Sequence, residues 1–294
     1  YIGFLSRRVK RLLPALALCV AVTGFVVLAA DPFPRHSIET GLAALFGFAN
    51  ILLFFFELDY FSPSSLFNAF THTWSLGVEE QFYVVFPLFA WLFYFRAHRA
   101  SFRALALAMI IGSLASMTLF ALLYAEHRAA AFFLMPTRIW ELGIGALAFL
   151  ARGRILTTRL LPLLRRLAPF SLAGLLACFF APDRLIVPAT LTAVVLAGLL
   201  LAADGRSLAA RLLMLPPVVY LGRISYSLYL VHYAVSHVVT HLAWRALGGS
   251  PTPVQSAGVL VLSLVASIGV AHLMFVWVEG PSHRWSARLK PFGL

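Results

Sequence analysis

Apolar and polar positions along this chain fall into long blocks rather than short alternating runs. Apolar stretches lie at roughly 12–30, 38–56, 76–95, 103–124, 131–151, 167–181, 185–203, 216–240 and 255–278. Most of them approach the roughly 20 residues that carry a helix across a bilayer. The runs are too long, and too free of period-two alternation, for the strands of a transmembrane barrel. Pro87, Gly112, Gly143, Gly145 and Gly174 fall inside runs without ending them, because neighbouring groups in a membrane bundle re-satisfy the freed backbone. The pattern predicts an all-α, polytopic integral membrane helix bundle, with residues 1–294 forming one membrane domain.

Composition supports this reading. The chain has 294 residues, 61% of them hydrophobic, and a mean hydropathy of +0.90, against about 45–50% apolar residues in soluble domains. Its 23 Lys and Arg against 11 Asp and Glu give a formal charge of +12, which in a soluble protein would raise nucleic acid as a partner. Here the basic residues sit between apolar blocks, where the preference of cationic loops for the cytoplasmic face accounts for them. No nucleic-acid partner is expected. Cys19 and Cys178 lie within apolar runs and form neither a disulfide framework nor a metal motif.

The charges also give an orientation. The basic clusters are Arg7, Arg8, Lys10 and Arg11; Arg96, Arg99 and Arg103; Arg152, Arg154, Arg159, Arg165 and Arg166; Arg206 and Arg211; and Arg284, Arg288 and Lys290. With all of them cytoplasmic, the spans from residue 76 onward alternate without conflict and the C-terminus lies inside. The first span then ends outside near Asp31, and the 76–95 span starts outside. An even number of crossings must separate them, so the 38–56 run is not a simple span. It dips and returns, lies in the interface, or pairs with part of 57–75; the alternative is that one of the charge clusters lies on the other face. The expectation is about eight crossings and one irregular segment. The opening YIGFLSRRVKRLLPAL begins without methionine on a basic amphipathic patch, and further helices are expected to precede it.

Polar residues in such a chain are costly and mark candidate chemistry. In SRRVKRLLP, Arg7 and Arg11 share a helix face with Arg8 beside them. Arginine forks grip phosphate, and the bland alternative is an anchor on anionic lipid. In HTWSLGVEEQFY, a helix would place Trp74, Val78 and Gln81 on one face and Glu79 and Tyr83 on another, with His72 two turns from Glu79. Glu79 and Glu80 point about 100° apart, so at most one of them faces the bundle. The alternative is an interfacial aromatic belt. In MPTRIWELGIGALAF, Arg138 and Glu141 stand three apart, as an internal ion pair would, and Gly143 and Gly145 allow close helix approach. In LGRISYSLYLVHYAV, Ser225, Tyr226 and Ser227 precede His232, a candidate base or equally a hydrogen-bonded core histidine. His237 and His241 share a face, but no third metal ligand is near. In WVEGPSHRWSARLK, Glu279 is expected to end the last helix before Gly280 and Pro281. No metal site and no permanently bound cofactor is expected.

Taken in order, FLSRRVKRLLPAL, FANILLFFFELDYFSPSSLFNAFTHTWSLGVEEQFYVVFPL, MPTRIWELGIGALAF, LGRISYSLYLVHYAV and WVEGPSHRW resemble landmarks of the membrane-bound acyltransferase 3 family. Its members are O-acetyltransferases that modify bacterial surface polysaccharide and lipopolysaccharide, and the resemblance covers essentially the whole chain. It implies a multi-pass protein of the bacterial inner membrane. Acetyl-CoA or another acyl-CoA is then the cytoplasmic donor substrate, and a hydroxyl of a glycan or lipid-linked sugar is the acceptor. Arg7, Arg8 and Arg11 would bind acyl-CoA. Glu79, His72 and His232 are the candidates for catalysis. Trp74, Ser75, Tyr83, Arg138, Glu141, Ser225, Tyr226, Ser227 and Glu279 would support the site. The family usually has ten helices and begins with one bearing an arginine and a catalytic histidine, then a helix rich in glycine and phenylalanine. Neither stretch is in this sequence, and the base is expected upstream of it; the C-terminal extracytoplasmic hydrolase-like domain that some relatives carry is not in this sequence either. Two other readings compete: a membrane transport or scaffold protein whose polar residues line a passage or hold helices together, and a catalytically inactive fragment of the acyltransferase.

Overall fold

The computed structural model describes residues 2–30, 34–58, 68–91, 102–154, 160–203, 205–247 and 252–288. Of the charges used above for orientation, Asp31, Arg96, Arg99, Arg159 and Lys290 lie outside the described residues. The helices are α1 (Ile2–Ala30), α2 (Arg35–Leu45), α3 (Ala49–Leu58), α4 (Trp74–Trp91), α5 (Phe102–Glu126), α6 (Arg128–Phe133), α7 (Ile139–Arg154), α8 (Leu161–Cys178), α9 (Ile186–Ala202), α10 (Leu208–Leu213), α11 (Pro216–Arg223), α12 (Ser225–Leu247), α13 (Pro253–Met274) and α14 (Gly280–Arg288). No strand occurs among the described residues. The protein is an all-α membrane protein.

Four stretches among the described residues are long and apolar enough to cross a membrane: Leu5–Ala29, Arg103–Glu126, Leu161–Cys178 and Pro253–Trp285. Several of the other apolar runs are broken by turns. The 131–151 run turns at Met135–Thr137 before α7, and the 216–240 run breaks at Ile224 between α11 and α12. The 38–56 run is two helices. Gly47 takes φ 73°, the Gly47 N–H donates to the Ala44 carbonyl, and the Phe48 N–H donates to the Ala43 carbonyl. That pair of bonds is a Schellman stop, which needs a residue free to enter the left-handed region. Helices of 11 and 10 residues are each only about 16 Å long, well short of a bilayer core. The run is therefore two short helices and not one helix of spanning length.

The chain divides into two compact units. One comprises Tyr1–Gly77 with Tyr220–Leu294, and the other Val78–Val219. In the first, the core is Ala15, Leu16 and Cys19 of α1, Leu76 of α4, Ile224, Leu230 and Val231 on and before α12, and Ala271 and Met274 of α13. Polar groups lie inside beside them. Asn68 donates to Thr40 Oγ1 at 2.7 Å, and the Ala69 N–H donates to Ser37 Oγ at 3.1 Å, tying the approach to α4 onto α2. Phe70 lies against Gly41, and Gly77 against the buried Asn50, each where a Cβ would clash.

In the second unit, α5 packs on α7, α7 on α9, and α8 on α9. Gly143 meets Ser113, Gly174 meets Leu196 and Gly198 meets Ile144 at these crossings. Gly145, expected to do the same as Gly143, faces open space. The two glycines are two residues apart on a helix and so cannot share a face. Both units invert the soluble pattern. Helix α5 buries Ser113 and Ser116 and exposes Ile110, Ile111 and Leu114, while α13 buries Ser263 and Ser267 and exposes Leu260, Leu264 and Val265. Small hydroxyl residues inside and large apolar ones outside are what a lipid solvent selects.

Candidate functional site

Most of the polar residues singled out in the sequence come together in the first unit, along α1 and α12. The two helices run the same way. Tyr226 donates to the Leu12 carbonyl at 2.9 Å, and Cys19 donates to the Leu230 carbonyl at 3.2 Å. Arg7, Arg8 and Arg11 lie in the first turns of α1. Pro14 is inside this helix and has no N–H, which orphans the carbonyl of Lys10 four residues earlier. Ser282 of α14 supplies the missing donor at 2.7 Å, so the C-terminal helix is bonded to the arginine-bearing end of α1.

Helix α13 does not stop before Gly280. It passes into a π-helical turn, Phe275–Glu279, whose last bond runs from the Gly280 N–H to the Phe275 carbonyl, and then into α14. Pro281 falls in the first turn of α14, where a proline costs little. The expectation that Gly280 and Pro281 end the helix is thus corrected. The π turn leaves Glu279 2% exposed, pointing inward, and π turns recur at functional positions. Ser227 of α12, fully buried, donates to Glu279 Oε2 at 2.6 Å. The Nε2 of His283, one turn on, lies 3.8 Å from Glu279 Oε1 and within electrostatic reach of Arg11. Ser225 is exposed, since two residues on a helix separate it from the face of Ser227.

One turn further along α12 is an imidazole and phenol cluster. Helix α4 begins at Trp74, so His72 sits in the 3-10 turn Thr71–Thr73 and does not share a helical face with Glu79, which corrects the two-turn pairing. The His72 ring lies 5.3 Å from His232 and 5.4 Å from Tyr229, edge to face, and stacks on Tyr233 at 5.5 Å. Tyr229 donates its only hydroxyl proton to the His72 carbonyl, so Ser75 Oγ donates to the Tyr229 oxygen at 3.0 Å. His232 Nδ1 contacts the Tyr229 carbonyl at 2.8 Å and the Leu228 carbonyl at 3.2 Å. Carbonyls only accept, so Nδ1 carries a proton and donates it, which leaves Nε2 as the ring nitrogen turned away from the backbone. Both ring nitrogens of His72 are shut from water, and neither makes a hydrogen bond of good geometry, although the Leu230 backbone lies near enough to favour the charged ring weakly. Burial first, and the neighbouring His232 second, push the His72 pKa down to about 4, so the ring is neutral at pH 7. Two imidazoles side by side can accept a proton and hold a hydroxyl.

Trp74 opens α4 in the first unit, and Glu79, Tyr83, Arg138 and Glu141 lie in the second. Tyr83 donates to Glu79 Oε2 at 3.4 Å. Arg138 pairs with Glu141, donates to the Phe132 carbonyl at 3.2 Å and lies 5.0 Å from the rings of Phe120 and Phe132. Ser116 donates to the Pro136 carbonyl at 2.6 Å and accepts from the Trp140 N–H, which fixes the same corner. Every contact of Arg138 described here braces α5, α6 and α7. No group of three or more His, Cys, Asp or Glu side chains suited to a metal occurs among the described residues.

Tyr229, Tyr233, Ser282 and His283 were not picked out from the sequence. Tyr229 and Tyr233 sit three before and one after His232, and His283 sits four after Glu279. Helical spacing to a chosen residue was the available signal for Tyr229 and His283, while Tyr233, adjacent to His232, points to a different face. Nothing local marked Ser282, whose partner is 272 residues away.

Comparison with known proteins bears on this arrangement. O-acetyltransferase OatA of Staphylococcus aureus (strain NCTC 8325 / PS 47) is 29% identical over 280 residues, covering 90% of this chain and 45% of OatA. YrhL of Bacillus subtilis (strain 168), named provisionally as a peptidoglycan O-acetyltransferase, is 29% identical over 303 residues, covering 95% of this chain and 45% of YrhL. BcsY of Komagataeibacter xylinus, named provisionally as a membrane-bound transacylase, is 29% identical over 290 residues, covering 95% of this chain and 68% of BcsY. The chain therefore spans less than half the length of OatA and YrhL. No solved structure matches it. The profile of the acyltransferase domain Acyl_transf_3 matches residues 1–272, and the chain belongs to that family.

Proposed function

We propose that this protein transfers an acetyl or other short acyl group from cytoplasmic acyl-CoA to a hydroxyl of a cell-surface glycan or its lipid-linked precursor. The observation that carries the reading is the order of polar groups along the paired helices α1 and α12. Arginines come first, then the buried Ser227–Glu279 pair, then the His72 and His232 imidazoles. Arg7, Arg8 and Arg11 bind the phosphates of the donor, for which guanidinium forks are suited. His232 Nε2 takes the proton of the acceptor hydroxyl as its oxygen attacks the thioester carbon. The carbon–sulfur bond breaks as the carbon–oxygen bond forms, and the proton passes to the departing thiolate of CoA. Glu279 holds Ser227 and stands beside His283, fixing α12 and α14 about the arginines. The reaction needs no permanently bound cofactor.

In this reading the protein is a multi-pass protein of the bacterial inner membrane, with about eight crossings in this chain, the irregular 35–58 segment between them and a cytoplasmic C-terminus. The test is mass analysis of surface glycan from cells lacking the gene, complemented with wild type, His232→Ala, Glu279→Gln or Glu79→Gln. Acetyl groups present with wild type and absent with His232→Ala support it. Glycan indistinguishable between the deletion and the wild-type strain overturns it. In parallel, acetyl-CoA should raise the melting temperature of the purified protein, and Arg8→Ala with Arg11→Ala should remove that rise.

A further inference from the structure

Tyr226, Tyr229 and Tyr233 stand at i, i+3 and i+7 on α12 and so share one face of that helix. Two of their hydroxyls go to the backbones of other elements. Tyr226 donates to the Leu12 carbonyl of α1, and Tyr229 to the His72 carbonyl in the turn before α4. Tyr233 lays its ring on His72. Of the three, Tyr229 engages both candidate imidazoles. Its ring meets the His72 ring edge to face, and its hydroxyl grips the residue that carries that ring. Its own carbonyl accepts from His232 Nδ1 at 2.8 Å. From the opposite side the segment leading into the turn is pinned to α2, by Asn68 on Thr40 and by the Ala69 N–H on Ser37. A 3-10 turn of three residues has poorer backbone bonds than a long helix, so what grips it from α12 decides where His72 points. Ser75 Oγ completes the arrangement at 3.0 Å from the Tyr229 oxygen. The proton count allows one order, from Ser75 to Tyr229 to the His72 carbonyl. A hydroxyl that accepts one bond donates the next more strongly.

We propose that Tyr229 is the positioning residue of the transfer site and that Ser75 acts through it. The Tyr229 hydroxyl holds the His72 turn on α12, and its carbonyl holds His232 in the orientation that turns Nε2 away from the backbone. The two rings are thereby kept 5.3 Å apart, so that one holds the acceptor oxygen while the other takes its proton. The consequence for rate rests on the acyl-transfer reading. The clamp on the His72 turn does not, so either can fail without the other.

Open membrane fragments of the complemented deletion strain are given radiolabelled acetyl-CoA, and incorporation into surface glycan is followed. Tyr229→Phe keeps the ring and loses the hydroxyl. It should lower kcat about tenfold or more while the KM for acetyl-CoA moves by less than about twofold, because the reacting groups are misplaced and the donor is held elsewhere. Ser75→Ala should cost less, about threefold in kcat, and nothing further beside Tyr229→Phe. A second readout needs no transfer. Diethyl pyrocarbonate modifies imidazoles that solvent can reach, and peptide mass analysis measures the product on each histidine. Labelling of His72 should rise about fivefold in Tyr229→Phe, the scale on which loss of one hydrogen bond favours a local opening. It should not change in Tyr226→Phe, whose bond goes to α1. If Tyr229→Phe does not accumulate, Ser75→Ala carries both readouts. An unchanged kcat, a loss confined to KM, additive losses in the double variant, or His72 labelling equal in wild type and Tyr229→Phe would each overturn the proposal. Wild-type membranes that incorporate no acetyl, with His72 labelling still set by Tyr229, would sink the acyl-transfer reading and leave the clamp standing.

Discussion

Acidification should weaken the unit that holds His72, and the imidazole itself sets the scale. His72 lies in the turn before α4, with both nitrogens shut from water and His232 beside it. Its pKa falls from the ordinary 6.5 to about 4 in the fold. Between those values the unfolded chain binds a proton that the folded chain refuses. Stability therefore rises with pH across that window, is complete above about 6.5, and is lost as pH falls toward 4. The gap corresponds to at most about 3 kcal/mol, or several degrees of melting temperature. Other groups titrate over the same range, so the measurement is a difference. Melting temperatures of wild type and His72→Phe in the same detergent are recorded from pH 7.5 to 4.5. Phenylalanine keeps a ring against Tyr233 and removes the proton site. The wild-type curve should fall by about 5 °C more than that of the variant between pH 6.5 and 4.5. Parallel curves would show that His72 is hydrated or hydrogen-bonded in the protein, and the account of its burial would be wrong.

Other substitutions test the packing of the site. Ser227→Ala leaves an oxygen of the buried Glu279 without its donor and should cost about 2 kcal/mol, while the exposed Ser225→Ala should change stability by less than about 0.5 kcal/mol. Chemical denaturation of both variants separates the two. Ser282→Ala should cost about 1 kcal/mol in the wild type and nothing beside Pro14→Ala, which restores the helical donor to the Lys10 carbonyl. A double-mutant cycle with no coupling would refute that account of Pro14. Gly143→Ala meets Ser113 and should destabilise by about 1–3 kcal/mol, whereas Gly145→Ala faces open space and should be neutral or stabilising by up to about 1 kcal/mol. Thermal melts of the pair, with the same sign for both, would refute the crossing geometry.

Block hydropathy alone determined that the chain is a helical membrane protein, because apolar runs of this length have no other economical use. Charge parity led to the expectation that 38–56 is not a simple span, and the chain breaks there into two short helices at the Schellman stop of Gly47. The Arg138–Glu141 pair was legible from its spacing, since i and i+3 are neighbours on any helical turn. The sequence also marked Ser227, His232, Glu279 and His72 as costly polar residues in an apolar chain. Which of them meet was decided elsewhere. Glu279 reaches Ser227 because a π turn carries the helix through Gly280 and Pro281, two residues that read locally as a stop. Ser282 answers a carbonyl orphaned by a proline in the first helix. His72 loses water only when α12 brings His232, Tyr229 and Tyr233 around it. Those bonds join residues that are mostly 50 to more than 250 positions apart. Local periodicity fixes which face a side chain takes on its own helix. It carries no information about which distant helix will cover that face, and so the site had to wait for the tertiary structure.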